Sequence, residues 1–419
     1  MRRFFLVLIL VLQTISLVQA QLILVPASSV NKQQLPKNIE TNYNQIPFVD
    51  DFSSYQGLPN QLKWQSTNVI VNSNYQFNPP TVGVVTLDVI DIFGKLYPNA
   101  TTTSFEADTL LSQPIRLDSI VSPTRQKLSK SDSIYFSFYI QPAGSNGQPW
   151  ETIGSLPSYS DSIILDFFSP ENGWEKVWAM GGIPLDSLFA QEKAYYKYVM
   201  IPITEDKYFT KEFRFRFRNI ASLNNNPQLA YIGNCDQWNI DYVYLDKNRS
   251  ITDTVIRELA FVDPAPSMLK RYQAMPANQY TEQEIADSLQ IKIINLYSEA
   301  LSSVYKYFIK DEQENILHTY DGGFENISPY ITTLSYQDAL SHCRPIVDYN
   351  FPINEDNWRT FSIIHTIKEG VGQDVLASND TISFIQKFEN YFAYDDGSAE
   401  NGIGVEPIAG SHLAVAFDL

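Results

Sequence analysis

Six residues, Phe213-Arg214-Phe215-Arg216-Phe217-Arg218, constrain this chain more than any other stretch. Alternation at period two puts three rings on one face of an extended strand and three guanidinium groups on the other. An antiparallel strand with one face in a core and the other toward water has this pattern. A second strand pattern follows at Trp238-Asn239-Ile240-Asp241-Tyr242-Val243-Tyr244-Leu245. The pair predicts the closing strands of a β-sandwich, with Phe213, Phe215 and Phe217 in its core.

Upstream, short strand patterns recur between Gly, Pro and Asn turn signals at Val69–Val71, Val82–Asp88, Ser133–Gln141, Asp161–Phe168, Lys176–Ala179 and Tyr196–Ile203. This spacing is that of an all-β sandwich or jelly roll. Residues 46–247 are therefore predicted to form a jelly-roll β-sandwich, preceded by an extended arm over 21–45. A linker over Asp246–Asp253 leads to further strand patterns at Val255–Val262, Asp287–Leu296, Ser303–Lys310, Ile316–Tyr320, Trp358–Lys368 and Asp380–Phe388. Residues 254–389 read as an immunoglobulin-like or fibronectin-like β-sandwich, with one or two helical turns over Thr281–Ile285 and a capping box of Thr281 with Glu284. The last 30 residues, 390–419, are too few for a sandwich and read as the start of a third, truncated β unit.

The N-terminus carries Arg2 and Arg3, an apolar run from Phe4 to Leu12, and Val18-Gln19-Ala20, the pattern of a secretory signal cleaved after Ala20. Gln21 follows, so the cysteine of a bacterial lipid anchor is missing. No later apolar run approaches the roughly 18 to 20 residues that span a bilayer. Export to the periplasm, cell surface or medium is expected. Removing Arg2 and Arg3 takes the net charge from −17 to about −19. That balance repels phosphate backbones and excludes nucleic acid as the expected partner. The spacing of Cys235 and Cys343 leaves a bridge open, though two buried thiols are the favoured reading.

Little in the sequence points to catalysis. None of His318, His342, His365 and His412 lies in an HExxH motif or beside a GxSxG elbow, and structural histidines are expected. His342 and Cys343 are chain neighbours that an extended backbone points to opposite faces. Sugar binding calls for exposed rings whose flat faces pack on a pyranose. Trp150, in a Gly/Pro-rich loop, is the best placed, Trp64 is second, and Trp174, Trp178, Trp238 and Trp358 are assigned to cores. Arg214, Arg216 and Arg218 are a second candidate ligand surface, for acidic glycans, against the reading of a solvated face paired with acids. Eight tripeptides of Asp, then Ser or Thr, then an aliphatic residue place hydroxyls at Thr109, Ser119, Ser133, Ser162, Ser187, Thr254, Ser288 and Thr381. They resemble the acceptor motif of a bacterial periplasmic O-glycosylation system, and equally a turn running into a strand.

Four stretches, Pro79–Asp88, Asn234–Val243, Phe261–Pro266 and Tyr391–Gly402, together resemble the N-terminal half of large secreted bacterial proteins of the type IX secretion kind. The resemblance runs from about Pro47 onward. It implies a MAM-like or carbohydrate-binding-module-like jelly roll followed by an immunoglobulin-like domain, and a sorting domain that has no counterpart before Leu419. In such jelly rolls the first and last strands lie side by side and acidic residues of both commonly share a structural Ca2+, so the resemblance implies that Asp50 or Asp51 meets Asp241. The plainer reading is that these aspartates cap turns. The expected function is a secreted, non-enzymatic, multi-domain surface protein for adhesion or ligand binding, with glycans as a candidate ligand. The alternative is an accessory region of a secreted hydrolase or peptidase whose catalytic domain lies beyond residue 419.

Overall fold

The computed structural model describes residues 22–25, 43–91, 93–142, 161–223, 236–339, 344–353, 358–370, 375–395 and 402–405. The fold is all-β, with two stacked-sheet sandwiches in succession.

The first sandwich uses ten principal strands: β1 (Phe48–Asp50), β2 (Ile70–Asn72), β3 (Val84–Leu87), β4 (Phe105–Leu111), β5 (Tyr135–Pro142), β6 (Ser162–Ser169), β7 (Gly173–Gly181), β8 (Lys197–Pro202), β9 (Arg214–Ala221) and β10 (Trp238–Asp246). One sheet runs β8-β5-β10-β3-β2, with β1 also paired to β10; the other runs β7-β6-β9-β4. The rings of Phe213, Phe215 and Phe217 are fully buried between the sheets. Phe215 lies 4.5 Å from Phe136 and Phe217 lies 4.8 Å from Phe138, across the sandwich. The expected pairing of first and last strands is present, Val243 standing opposite Asp50 and Leu245 opposite Phe48. An eight-residue helix, α1 (Leu185–Glu192), precedes β8.

The second sandwich stacks a sheet of β11 (Leu259–Phe261), β13 (Lys292–Asn295) and β16 (Gln337–Asp338) on one ordered β12-β18-β17-β14-β15. These are Ala274–Pro276 (β12), Leu301–Lys310 (β14), Ile316–Ile327 (β15), Arg359–Glu369 (β17) and Thr381–Glu389 (β18). Strict alternation in β14, from Leu301 to Ile309, buries every second side chain and puts Leu301, Tyr305, Tyr307 and Ile309 in one core with Phe361, Ile363 and Phe388. The helical turn expected near Thr281 is a 3-10 turn over Glu282–Glu284, without the side-chain cap. A one-turn helix, α2 (Tyr330–Thr333), lies between β15 and β16. Of the terminal segments, Leu22–Val25 pairs antiparallel with Gly402–Val405.

The segment read as a linker is docked. Arg249 is 6% exposed: its guanidinium bonds Asp253, the Ser137 hydroxyl and the Tyr198 hydroxyl, and lies 4.3 Å over the Tyr244 ring. The sandwiches also share an apolar seam, Tyr242 packing with Ile256, Ala260, Val262, Ile294 and Leu296.

Candidate functional site: a tyrosine-lined cleft over a carboxylate joint

Strand β10 builds the site because it is irregular. Opposite β5 its register shifts between the Ser137 and Tyr139 pairings, so that Tyr139 faces Asp241, and Tyr242 adopts a left-handed φ of 48°. A bulge of this kind re-aims side chains. Asp241 and Tyr242 are both fully buried, and the Tyr242 hydroxyl crosses to the second sandwich, donating to Glu258 Oε2 at 2.6 Å.

Asp51 and Asp241 meet at Thr81. The Thr81 amide donates to Asp241 Oδ2 at 3.0 Å, and the Thr81 hydroxyl lies 3.0 and 3.1 Å from the two Asp241 oxygens and 3.1 Å from the Asp51 carbonyl. Gly83 permits this approach: a Cβ there would stand 2.2 Å from the Phe52 carbonyl oxygen. Asn379 Nδ2 then bridges the sandwiches, donating to Asp51 Oδ2 at 2.9 Å and Glu258 Oε1 at 2.8 Å. Burial raises the pKa of Asp51, against hydrogen bonds from Ser53 and Asn379 that lower it. Burial, then the charge of Asp51, pushes Asp241 well above the ordinary carboxylate range. Asp50 points elsewhere, to the Tyr55 hydroxyl (2.6 Å), Trp64 Nε1 (2.7 Å) and Lys63 Nζ (3.2 Å). Of the expected calcium ligands the fold thus brings Asp51 and Asp241 together and gives Asp50 a separate role. Among the described residues no group of three or more His, Cys, Asp or Glu side chains is placed to hold a metal ion.

Above this joint a cleft of about 540 Å3 opens between the sandwiches. Tyr139, Tyr195, Tyr196 and Tyr198 line it from the first sandwich, Tyr330 and Tyr336 from the second, with Glu192 and Lys193 as its charged lining. Tyr139 and Tyr198 pack at 4.8 Å, Tyr330 and Tyr336 at 5.1 Å. Tyr336 also donates its hydroxyl to the Pro79 carbonyl, 3.0 Å away across the interface. The Tyr196 hydroxyl is buried with no hydrogen-bond partner among the described residues. Burial first, and the Asp241 charge second, raise the pKa of Tyr196 and hold it neutral. A pocket of this size, apolar-walled with a few polar groups, is the common form of a small-molecule site.

The other candidate residues lie apart from the cleft or outside the description. Trp150, Cys235, His342, Cys343 and His412 are outside the described residues. Trp64 is not an exposed ring; it is fully buried, stacked on Phe52. Trp358, assigned to a core, is 65% exposed, because it stands just before β17 rather than on its inward face. The Arg stripe is engaged within the protein. Arg216 and Arg218 both bond Asp166 on β6, at 2.8 and 2.6 Å, Arg218 also holds Glu106, and Arg214 and Arg216 lie over Phe168 and Trp174. Burial by itself would raise the Asp166 pKa, but the bonds from Arg218 and Arg216 outweigh it and hold the carboxyl below its ordinary value. Of the eight hydroxyls, Ser133, Thr254 and Thr381 are exposed, Thr109, Ser162, Ser187 and Ser288 half-buried, and Ser119 buried. Thr254 lines the cleft.

No family profile matches the sequence, and no curated protein matches it significantly. Solved structures similar in part include a Bacteroides fragilis protein provisionally called a beta-galactosidase (10% identity, TM-score 0.25, covering 71% of this chain and 37% of that one). Another is Bacteroides uniformis beta-glucuronidase 2 covalently bound to cyclophellitol-6-carboxylate aziridine (11%, TM-score 0.23, 70% and 29%). A third is a beta-glucuronidase from Ruminococcus gnavus in complex with C6-substituted uronic isofagomine (10%, TM-score 0.22, 77% and 46%). The chain spans less than half the length of each of these three structures.

Proposed function

We propose that the chain is an exported, non-catalytic surface protein that binds a glycan in the cleft between its two sandwiches. The observation that carries this reading is the six-tyrosine lining. Tyrosine offers a flat apolar face to the C–H face of a pyranose and a hydroxyl to its oxygens. Glu192 and Lys193, the charged residues of the lining, supply polar contacts rather than a paired acid and base. The test is a glycan array followed by calorimetry on the mature chain. Binding of a short oligosaccharide, weakened at least tenfold in both Tyr139→Ala and Tyr330→Ala, supports the reading. Failure to bind any neutral or acidic glycan removes it.

Export predicts that the secreted protein begins at Gln21, which N-terminal sequencing reads directly. O-linked sugars are proposed at the exposed Ser133, Thr254 and Thr381. An intact mass equal to the bare mature sequence removes that part.

A further inference from the structure

The buried end of the cleft offers one side-chain hydrogen bond and is otherwise apolar. Of the residues that line the cleft, Pro80, Tyr196, Ile294 and Leu296 are buried, and only Tyr196 among them carries a polar side-chain atom. Tyr196 is 5% exposed, and its hydroxyl has no partner among the described residues. Neighbouring hydroxyls of the lining are already committed: that of Tyr198 accepts from Arg249, and that of Tyr336 donates to the Pro79 carbonyl. A buried hydroxyl left unpaired costs free energy that a ligand oxygen would restore. The charges of the lining lie elsewhere. Glu192 and Lys193 are exposed, and Glu192 is paired with Lys197. An ionic group of a ligand is better left at that open side, because at the buried end it would lose its water.

We propose that the buried end of the cleft takes the acetamido group of an N-acetylated sugar, with Tyr196 as the residue that selects it. This selectivity rests on the cleft being the glycan site and names the sugar class it takes. An acetamido group is neutral and ends in a carbonyl oxygen and a methyl group. The oxygen needs a donor and nothing else, which the Tyr196 O–H supplies; the methyl needs an apolar wall, which Pro80, Ile294 and Leu296 supply. In a trans amide the N–H points away from the carbonyl, here back toward the open side, where water reaches it. A plain sugar hydroxyl fits less well. It brings a proton as well as an oxygen, and the buried side chains of the lining hold no second oxygen to accept that proton. The pyranose rings lie nearer the mouth on half-buried tyrosine faces, Tyr139 with Tyr198 from one sandwich and Tyr330 with Tyr336 from the other.

Matched sugars separate this selectivity from glycan binding as such. N,N′-diacetylchitobiose and cellobiose share a backbone and differ only in carrying an acetamido group or a hydroxyl at the second carbon of each ring; N-acetylgalactosamine and galactose form a second pair. In calorimetry on the intact mature chain, the acetylated member of at least one pair is expected to bind about tenfold more tightly than its plain partner, the worth of one well-made neutral hydrogen bond. Tyr196→Phe keeps the ring and removes only the hydroxyl. It should bring that ratio below about twofold and leave both the plain sugar's affinity and the melting temperature unchanged, because the hydroxyl has no partner in the fold to lose. Tyr139→Ala should weaken both members of a pair alike. If acetylated and plain sugars bind equally, or the preference survives Tyr196→Phe, the selectivity is overturned and the glycan site stands. A fall in melting temperature in Tyr196→Phe equally overturns it, by showing that the hydroxyl serves the fold. Binding of acidic sugars alone overturns it too, and no binding of any sugar removes the glycan site with it.

Discussion

At the residue scale, His365 shows how burial turns a neutral side chain into a pH dependence. Its ring is fully buried in the second sandwich, with Nδ1 2.8 Å from the Tyr305 hydroxyl and Nε2 without a partner among the described residues. Burial pushes its pKa down to about 3, whereas an unfolded histidine titrates near ~6.5. As pH falls through that window the unfolded chain takes up a proton that the folded one refuses, so stability present above pH ~6.5 is lost progressively toward pH 3. The loss is on the order of a few kcal/mol. His365→Gln, which can still partner Tyr305, should therefore lose less melting temperature between pH 7 and pH 4 than the parent protein; equal losses would show that other groups set the acid limb. Gly83 acts through geometry instead. A methyl group there would stand 2.2 Å from the Phe52 carbonyl oxygen, a contact that only backbone movement relieves. Gly83→Ala is expected to cost about 3 kcal/mol, read as a lower denaturant midpoint.

At the element scale, β9 is the strand that the sequence described best and interpreted least. Its alternation placed the three phenylalanines correctly in the core. What the alternation could not reveal is the partner of the arginine face, because Asp166 reaches it by antiparallel pairing, directly opposite Arg216. Asp166→Ala should destabilise the protein by roughly 2 kcal/mol, since Arg216 and Arg218 lose a buried carboxylate but keep partial access to water. Urea unfolding checks this, and a change below 0.5 kcal/mol would mean that the pairing with acids, which the sequence led one to expect, is a solvated one of little energetic weight. Most other strands were legible for the same reason as β9: period-two patterns between turn signals. Strand β4 was not, because Phe105-Glu106-Ala107-Asp108 sets a buried aspartate on the inward face, where Asp108 accepts from the Val89 amide and the Tyr97 hydroxyl. The cleft also escaped the sequence reading. Tyr196, Tyr198 and Tyr139 look like ordinary strand residues, and their outer face is covered by a second sandwich that leaves no local periodicity. Glu258 and Asn379 carry no motif and acquire their role only from tertiary contact.

At the scale of the whole molecule, the question is whether two sandwiches behave as one body. Among the described residues the contacts between them include the apolar seam around Tyr242, the polar joint of Asp51, Asn379 and Glu258, and the Tyr336 bond to the Pro79 carbonyl, while Arg249 holds the connecting segment on the first sandwich. The seam and the joint are withdrawn from water, where an unmade hydrogen bond is costly. Separating the sandwiches would hydrate the seam and expose both carboxylates tied by Asn379, so neither unit should melt alone. The prediction is a single calorimetric transition near neutral pH, with calorimetric and van't Hoff enthalpies equal. Asn379→Ala removes the donor shared by Asp51 and Glu258, leaving two buried acceptors without it, and should split the transition in two or make the van't Hoff enthalpy fall short of the calorimetric one. Tyr336→Phe, which removes only the bond to the Pro79 carbonyl at the cleft rim, should lower the midpoint and keep one transition. Two transitions in the unmutated protein would mean that the seam and joint are too weak to couple the sandwiches. A cleft walled by residues of both would then lack the fixed width that selective binding requires.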